Sequence, residues 1–353
     1  MKKLLVLLVL LITASAIWLA ITPSPIQPLG WQPPEAPAMT GVMEPNDTLM
    51  KAELVAWGQL RGPEDTAMDS EGRLYAGLHD GRIVRIFADG GQETFADTQG
   101  RPLGMDFDTH GNLIVADAYK GLLSIDPQGQ ISVLTTEAEG VPFAFTDDLD
   151  IASDGTIYFS DASSRFQQPD YLLDLLEARP YGRLLSYEPQ SKETRVLLKD
   201  LYFANGVALS AAEDFVLVNE TYRYRITRYW LKGEKAGTHD VFIDNLPGLP
   251  DNLQGDREGT FWVALPSPRK ADADLLHRLP WVKQQLAKLP RSFWPKATPY
   301  GLVIALNEQG QITRSLHDVT GNHLRMITSA KPVGDYLYMG SLENDRIGKL
   351  RIR

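Results

Sequence analysis

FTDDLDIASDGTIYFSDASSRF, residues 145–166, reads as two short strands around a turn. Alternating Leu149 and Ile151 precede Asp154-Gly155, and an aromatic, Tyr158, stands three positions past the turn glycine. The same unit recurs: RGPEDTAMDSEGRLYAGLHDGRIVRI from Arg61, RPLGMDFDTHGNLIVADAYKGLLSI from Arg101, FANGVALSAAEDFVLVNETYRYRITRYWL from Phe203, LPDNLQGDREGTFWVALPSP from Leu249 and HLRMITSAKPVGDYLYMGSLENDRIGKLRI from His323. The residues past each turn, Tyr75, Ile114, Tyr158, Trp262 and Tyr338, are strand anchors, and Arg82-Ile83-Val84-Arg85-Ile86 alternates with the period of a strand. Six antiparallel meanders predict an all-β fold, a six-bladed β-propeller over residues 51–353, with a β-sandwich as the competing arrangement.

Two stretches break the repeat. Residues 167–181 and 267–298 have helical spacing, and Leu275, Leu276, Leu279, Val282, Leu286 and Leu289 can share one face. They are expected either to pack on the side of the propeller or to form a lid over one mouth of its central channel. Ahead of the repeats, MKKLLVLLVLLITASAIWLAIT places two lysines before an uncharged run from Leu4 to Thr22. At about 1.5 Å per residue this run nearly crosses a bilayer core of roughly 30 Å. Residues 1–22 are therefore read as a single-pass signal anchor with the propeller on the periplasmic or extracytoplasmic side. The alternative is a signal peptide cleaved after Ala14-Ser15-Ala16, giving a secreted protein. Residues 23–50, rich in proline, read as an extended stalk.

Composition narrows the chemistry. A net charge of −10 argues against a nucleic-acid partner, and the absence of cysteine removes disulfides, thiolate catalysis and cysteine metal sites. No G-x-S-x-G, H-E-x-x-H or phosphate-loop motif occurs, and the residues after Asp148 lack the oxygen ligands of an EF-hand. Asn46-Asp47-Thr48 and Asn219-Glu220-Thr221 match the glycosylation pattern, and His323 is a candidate channel residue.

Register supplies a site. In a propeller the innermost strands line the axis, so equal offsets from successive turns converge. Eight residues before the turn glycine stand Glu64, Leu103, Asp147 and Asp251. Aligning NGVALS with DDLDIA adds Asn205, and the last copy contributes Met326 or Ile327. Three carboxylates facing one another must take up protons or bind a cation, unless the channel is wide and wet. An all-oxygen set with one amide suits Ca²⁺, with Mg²⁺ or Mn²⁺ as alternatives. Within TDDLDI, Asp150 is expected to face solvent. Asp148 is expected to support Asp147 and, with Asn252, to contact substrate.

The stretch from Phe203 to Leu265, with RPLGMDFDTHGNLIVADAYKGLL, FTDDLDIASDGTIYFSDASSRF and RSLHD, resembles the strictosidine synthase-like family, which includes the adipocyte plasma membrane-associated proteins. More distantly it is similar to gluconolactonases, paraoxonases and diisopropyl fluorophosphatase, whose six-bladed propellers are centred on calcium. The resemblance implies that Glu64 and Asn205 are calcium ligands and that Asp251 is a ligand also assigned as base. Asp147 falls where relatives carry asparagine as a metal or substrate contact. It implies a Ca²⁺-dependent hydrolase of esters or lactones, with Asp251 or Asp147 as base. A non-enzymatic membrane-tethered propeller with a structural calcium is the alternative. A strictosidine synthase-type condensation fits poorly, because MITSAKPVGD, residues 326–335, lacks the glutamate those enzymes use.

Overall fold

A computed structural model describes the backbone of residues 1–353 and all side chains except those at positions 8, 9, 11, 12 and 14–16. Six four-stranded antiparallel sheets form a propeller. Five follow one another along the chain, their innermost strands being Thr66–Met68, Pro102–Phe107, Thr146–Ile151, Ala204–Leu209 and Leu253–Gly255. The sixth combines Ile327–Val333, Tyr336–Ser341 and Ile347–Arg351 with Glu53–Val55, whose Leu54 pairs with Gly348. Joining the first strand to the last closes the ring and protects what would otherwise be an open edge.

The anchors fall on second strands as their alternation requires, with Tyr75, Ile114 and Trp262 buried. Apolar clusters lie between neighbouring sheets. Met105, Leu113, Val115 and Leu123 pack against Ala67, Tyr75 and Ile83 of the sheet before them. Stability is thus spread around the ring, each blade completing its neighbour's core.

Two insertions leave the ring at equivalent places, between the second and third strands of blades three and five. The first carries α2 (Tyr171–Glu177). The second carries α3 (Ala271–His277), α4 (Pro280–Leu286) and a 3₁₀ turn at Arg291–Phe293. The leucine face expected over 275–289 is interrupted. Leu279-Pro280 ends one helix and starts the next, because proline donates no N–H and is tolerated only in a helix's first turn. Leu276 and Leu286 pack with Leu176 and Trp294, whereas Leu275, Leu279 and Val282 remain exposed.

Lys2–Ile21 forms the N-terminal helix α1. Leu4, Leu5, Leu10, Trp18 and Ile21 are exposed on it. Ala14-Ser15-Ala16, the candidate cleavage site, lies outside the described side chains. Among the described residues no helix is long and apolar enough to cross a membrane. The proline-rich segment after it is strapped to the insertions: Leu29 N–H donates to the Glu177 carbonyl at 2.8 Å and Trp31 N–H to that of His277 at 2.9 Å.

Candidate functional site

Antiparallel pairing puts the start of each first strand level with the end of the second, Thr146 facing Asp161 and Ala204 facing Glu220. Both insertions leave from that end, so they rise on the face where the converging residues lie. A cavity of about 520 Å³ opens there, with Glu64, Leu103, Asp147, Asn205, Asp251 and Met326 all in its wall. The six-fold register of the sequence is thereby realised with one member from each blade. Tyr171, Leu172 and Leu175 of the first insertion and Arg269, Arg291 and Trp294 of the second complete the wall. Ile327 is in the core instead.

A β-bulge aims the polar members. Pairing in blade three jumps between Thr146 and Leu149, and in blade four between Ala204 and Val207. The extra residue of a bulge re-aims consecutive side chains. Asp147 and Asn205 line the cavity, while Asp148 and Gly206 turn towards neighbouring blades. A Cβ at Gly206 would lie 2.3 Å from Leu253 N and 2.5 Å from the Asp251 carbonyl oxygen, so only glycine lets blades four and five approach this closely.

Asp148 lies behind the wall, not on it. Its Oδ2 accepts the Val207 N–H at 2.9 Å, across to the next blade. Asp150, expected in solvent, is buried. It accepts the Leu209 N–H at 2.8 Å and pairs with Arg257 at 2.6 Å. Asp65 does the same for blade two through the Met105 N–H at 2.9 Å. These carboxylates replace lost ladder hydrogen bonds where innermost strands of adjacent blades converge. Asn252 is likewise set back and fully buried, its Nδ2 3.4 Å from Glu64 Oε2. It supports Glu64 and does not reach the cavity. His323 is also away from the cavity, its Nε2 2.8 Å from the Ala52 carbonyl.

Glu64, Asp147 and Asn205 are buried at the cavity floor. Asn205 Nδ2 donates to Asp251 Oδ1 at 2.7 Å, and the Asn205 carbonyl oxygen is buried without a partner. Burial, then the charges of Asp251 and Asp147, raise the Glu64 carboxyl well above its usual range. Burial, then Asp251 and Asp148, do the same to Asp147. Burial lifts Asp251 to about 7, against the Asn205 hydrogen bond. Three acids that cannot all ionise together, beside a free amide oxygen, form a donor set that fits a hard divalent cation. Among the described residues no three acidic, histidine or cysteine side chains are grouped so as to hold a metal ion, so the fit rests on the chemistry of these donors.

Supporting residues were not legible as such. Asn219, matched only as a glycosylation signal, is fully buried and donates through Nδ2 to the Asp251 carbonyl. Thr221 Oγ1 donates to the Pro250 carbonyl at 2.7 Å. Arg101 is buried, donates to the Gly62 carbonyl at 3.3 Å, and its charge partly offsets the shifts of Glu64 and Asp147. Below the ring Lys331, only 12% exposed, lies 3.3 Å from Asp106 and donates to the Met105 carbonyl at 2.7 Å. Glu343 is a further acid in the cavity wall, 3.5 Å from Arg325. Of these, only Arg101, two places before Leu103, stands next to a ring position in the sequence.

Residues 147–234 match the family described as strictosidine synthase, and residues 41–86 its strictosidine synthase-like N-terminal region. The adipocyte plasma membrane-associated protein of Gallus gallus is 39% identical, over 93% of this chain and 85% of that one. The strictosidine synthase-like 6 protein of Arabidopsis thaliana is 38% identical over 86% of this chain and 82% of its own. Among solved structures, a gluconolactonase from Xanthomonas campestris superposes with a TM-score of 0.62 at 18% identity, covering 94% of this chain and 99% of that one. Regucalcin, a calcium-binding protein from Agrobacterium tumefaciens, gives 0.59 at 15%, covering 82% and 90%. The two solved structures agree on the propeller, and the identities to the curated relatives carry the assignment. The chain belongs to the strictosidine synthase-like family that includes the adipocyte plasma membrane-associated proteins.

Proposed function

We propose that this protein is a membrane-associated, Ca²⁺-dependent hydrolase of apolar esters or lactones. The observation that carries the reading is the convergence of Glu64, Asp147, Asn205 and Asp251 on the floor of a cavity whose walls are largely aromatic and aliphatic. Those four residues would hold the ion. A bound Ca²⁺ supplies Lewis-acid polarisation of a carbonyl and stabilises the negative charge that develops on its oxygen.

The chain's own residues do the rest. Phe145, Leu103, Phe203 and Tyr222 exclude water from around an apolar acyl or aryl group. Asn205, bonded to Asp251 Oδ1, leaves the other oxygen of that carboxylate to take a proton from an attacking water. Asn219 and Thr221 fix the backbone of Pro250-Asp251 and so hold that carboxylate in place. Asp147, two blades before Asp251 on the ring, is the alternative base.

The relatives' name, plasma membrane-associated, and the exposed apolar side chains of α1 support the membrane part of the reading. The gluconolactonase-like fold supports lactones as one substrate class. Purified full-length protein should hydrolyse phenyl acetate or members of a small lactone panel. Asp251→Asn should abolish most of that activity while leaving Ca²⁺ binding measurable. Full activity in Asp251→Asn would move the base to Asp147. No turnover of any ester or lactone, with Ca²⁺ bound, would leave the ion a structural role.

A further inference from the structure

The second insertion differs in charge from the molecule it sits on. Residues 267–298 carry seven lysines and arginines against two aspartates, a net of +5 in a chain of net charge −10. It also concentrates exposed apolar side chains. Trp281 is 69% and Phe293 67% exposed, and Leu275, Leu279 and Val282, at helical spacing, are exposed with them. Arg278 and Lys296 stand exposed among them. Large apolar groups with interspersed cations are the composition of surfaces that lie in a bilayer interface, the cations meeting anionic headgroups.

This insertion is fastened to the end of the apolar N-terminal helix and to the segment that follows it. Lys288 Nζ donates to the Leu19 carbonyl at 2.6 Å, Ser24 Oγ to that of Gln284 at 3.4 Å, and Lys283 Nζ to that of Leu29 at 2.9 Å. Trp18 and Ile21, exposed at the end of α1, therefore adjoin it. The same insertion contributes Arg291, Trp294 and Lys296 to the cavity wall.

We propose that residues 267–298 form a docking platform for an anionic lipid surface, resting on the headgroups beside α1 and turning the cavity mouth towards the bilayer. Trp281 and Phe293 enter the interface, and Arg278 and Lys296 meet the headgroups. An apolar substrate then passes from lipid to cavity without crossing bulk water. The proposal does not depend on what chemistry the ring performs.

The chain has no cysteine, so single-site labelling is clean. Full-length Trp281→Cys and Phe293→Cys, each carrying an environment-sensitive fluorophore, are compared with Val133→Cys on an outer strand. All are reconstituted in phosphatidylcholine and in phosphatidylcholine–phosphatidylserine vesicles. Labels at 281 and 293 are expected to be several-fold less accessible to aqueous iodide than the label at 133. They should be quenched by lipid-borne nitroxide, with more protection when phosphatidylserine is present. Arg278→Glu combined with Lys296→Glu should remove that lipid dependence. Equal iodide access at all three positions would overturn the proposal. Protection that is identical in both lipids and grows with protein density would also overturn it, assigning the face to a second copy of the chain.

Discussion

Asn205 gives its amide N–H to Asp251 at 2.7 Å and keeps its own carbonyl oxygen buried and unpartnered on the cavity floor. An unsatisfied buried oxygen costs about 1–3 kcal/mol, so its position calls for a partner supplied from outside the chain. Asn205→Leu removes both the free oxygen and the donor to Asp251. Calorimetric titration should find Ca²⁺ affinity lower by at least about 10–100-fold, the range for losing a partner behind a metal ligand. Unchanged affinity would exclude Asn205 from the donor set.

Asp251 and Asp147 should separate by kind of defect. Asp251→Asn is expected to lower kcat on an arylester by about 10²–10⁴-fold, as loss of a general base does. Asp147→Asn keeps a neutral oxygen at its position and should act mainly through weaker Ca²⁺ binding. Paired kcat and calcium titrations on the two variants check this, and a reversed pattern exchanges the roles.

Lys331 sits among Asp106, Asp65 and Asp148, whose charges raise its pKa against the opposing effect of burial. Replacing it by methionine keeps the stem and deletes the charge, leaving buried carboxylates uncompensated. Breaking such a pairing costs about 3–5 kcal/mol. Chemical denaturation of Lys331→Met should show a loss of that order. A loss below about 1 kcal/mol, the worth of an exposed ion pair, would contradict this.

Asp174 on α2 is fully buried. Burial chiefly lifts its carboxyl from 3.8 to about 7, Ser163 opposing and Glu177 adding. A folded-state pKa above the unfolded one favours the protonated fold. Its contribution is therefore complete below about pH 4 and lost as pH rises through 7. The loss is at most about 4 kcal/mol at 1.36 kcal/mol per unit. Asp174→Asn should flatten the fall in stability between pH 4 and 8 and make the protein more stable than wild type at pH 8. An unchanged pH profile would contradict this.

The repeat and its register were readable because period-2 alternation and turn glycines recur, and because equal offsets in a radial fold must meet. Hence Glu64, Leu103, Asp147, Asn205 and Asp251 could be placed on one ring before any coordinates, with the sixth position left between Met326 and Ile327; the five and Met326 line the cavity, whereas Ile327 is in the core. The fates of Asp148 and Asp150 could not. A bulge after Thr146 shifts the faces of that strand, and the partners of both acids are backbone N–H groups of another blade, Val207 and Leu209. Glu53–Val55 as the outer strand of the last blade was equally hidden, since its partner lies at the far end of the chain. Asn219 was invisible because its partner is a main-chain carbonyl.

The most direct measurement is hydrolysis by the full-length protein, stripped of divalent ions with chelator and then supplied with increasing Ca²⁺. Turnover of an arylester or lactone should fall to background on stripping and return with Ca²⁺ in wild type, and fail to return at the same concentration in Glu64→Gln. Turnover that survives stripping, or that Glu64→Gln recovers as readily as wild type, would contradict a calcium centre at this ring.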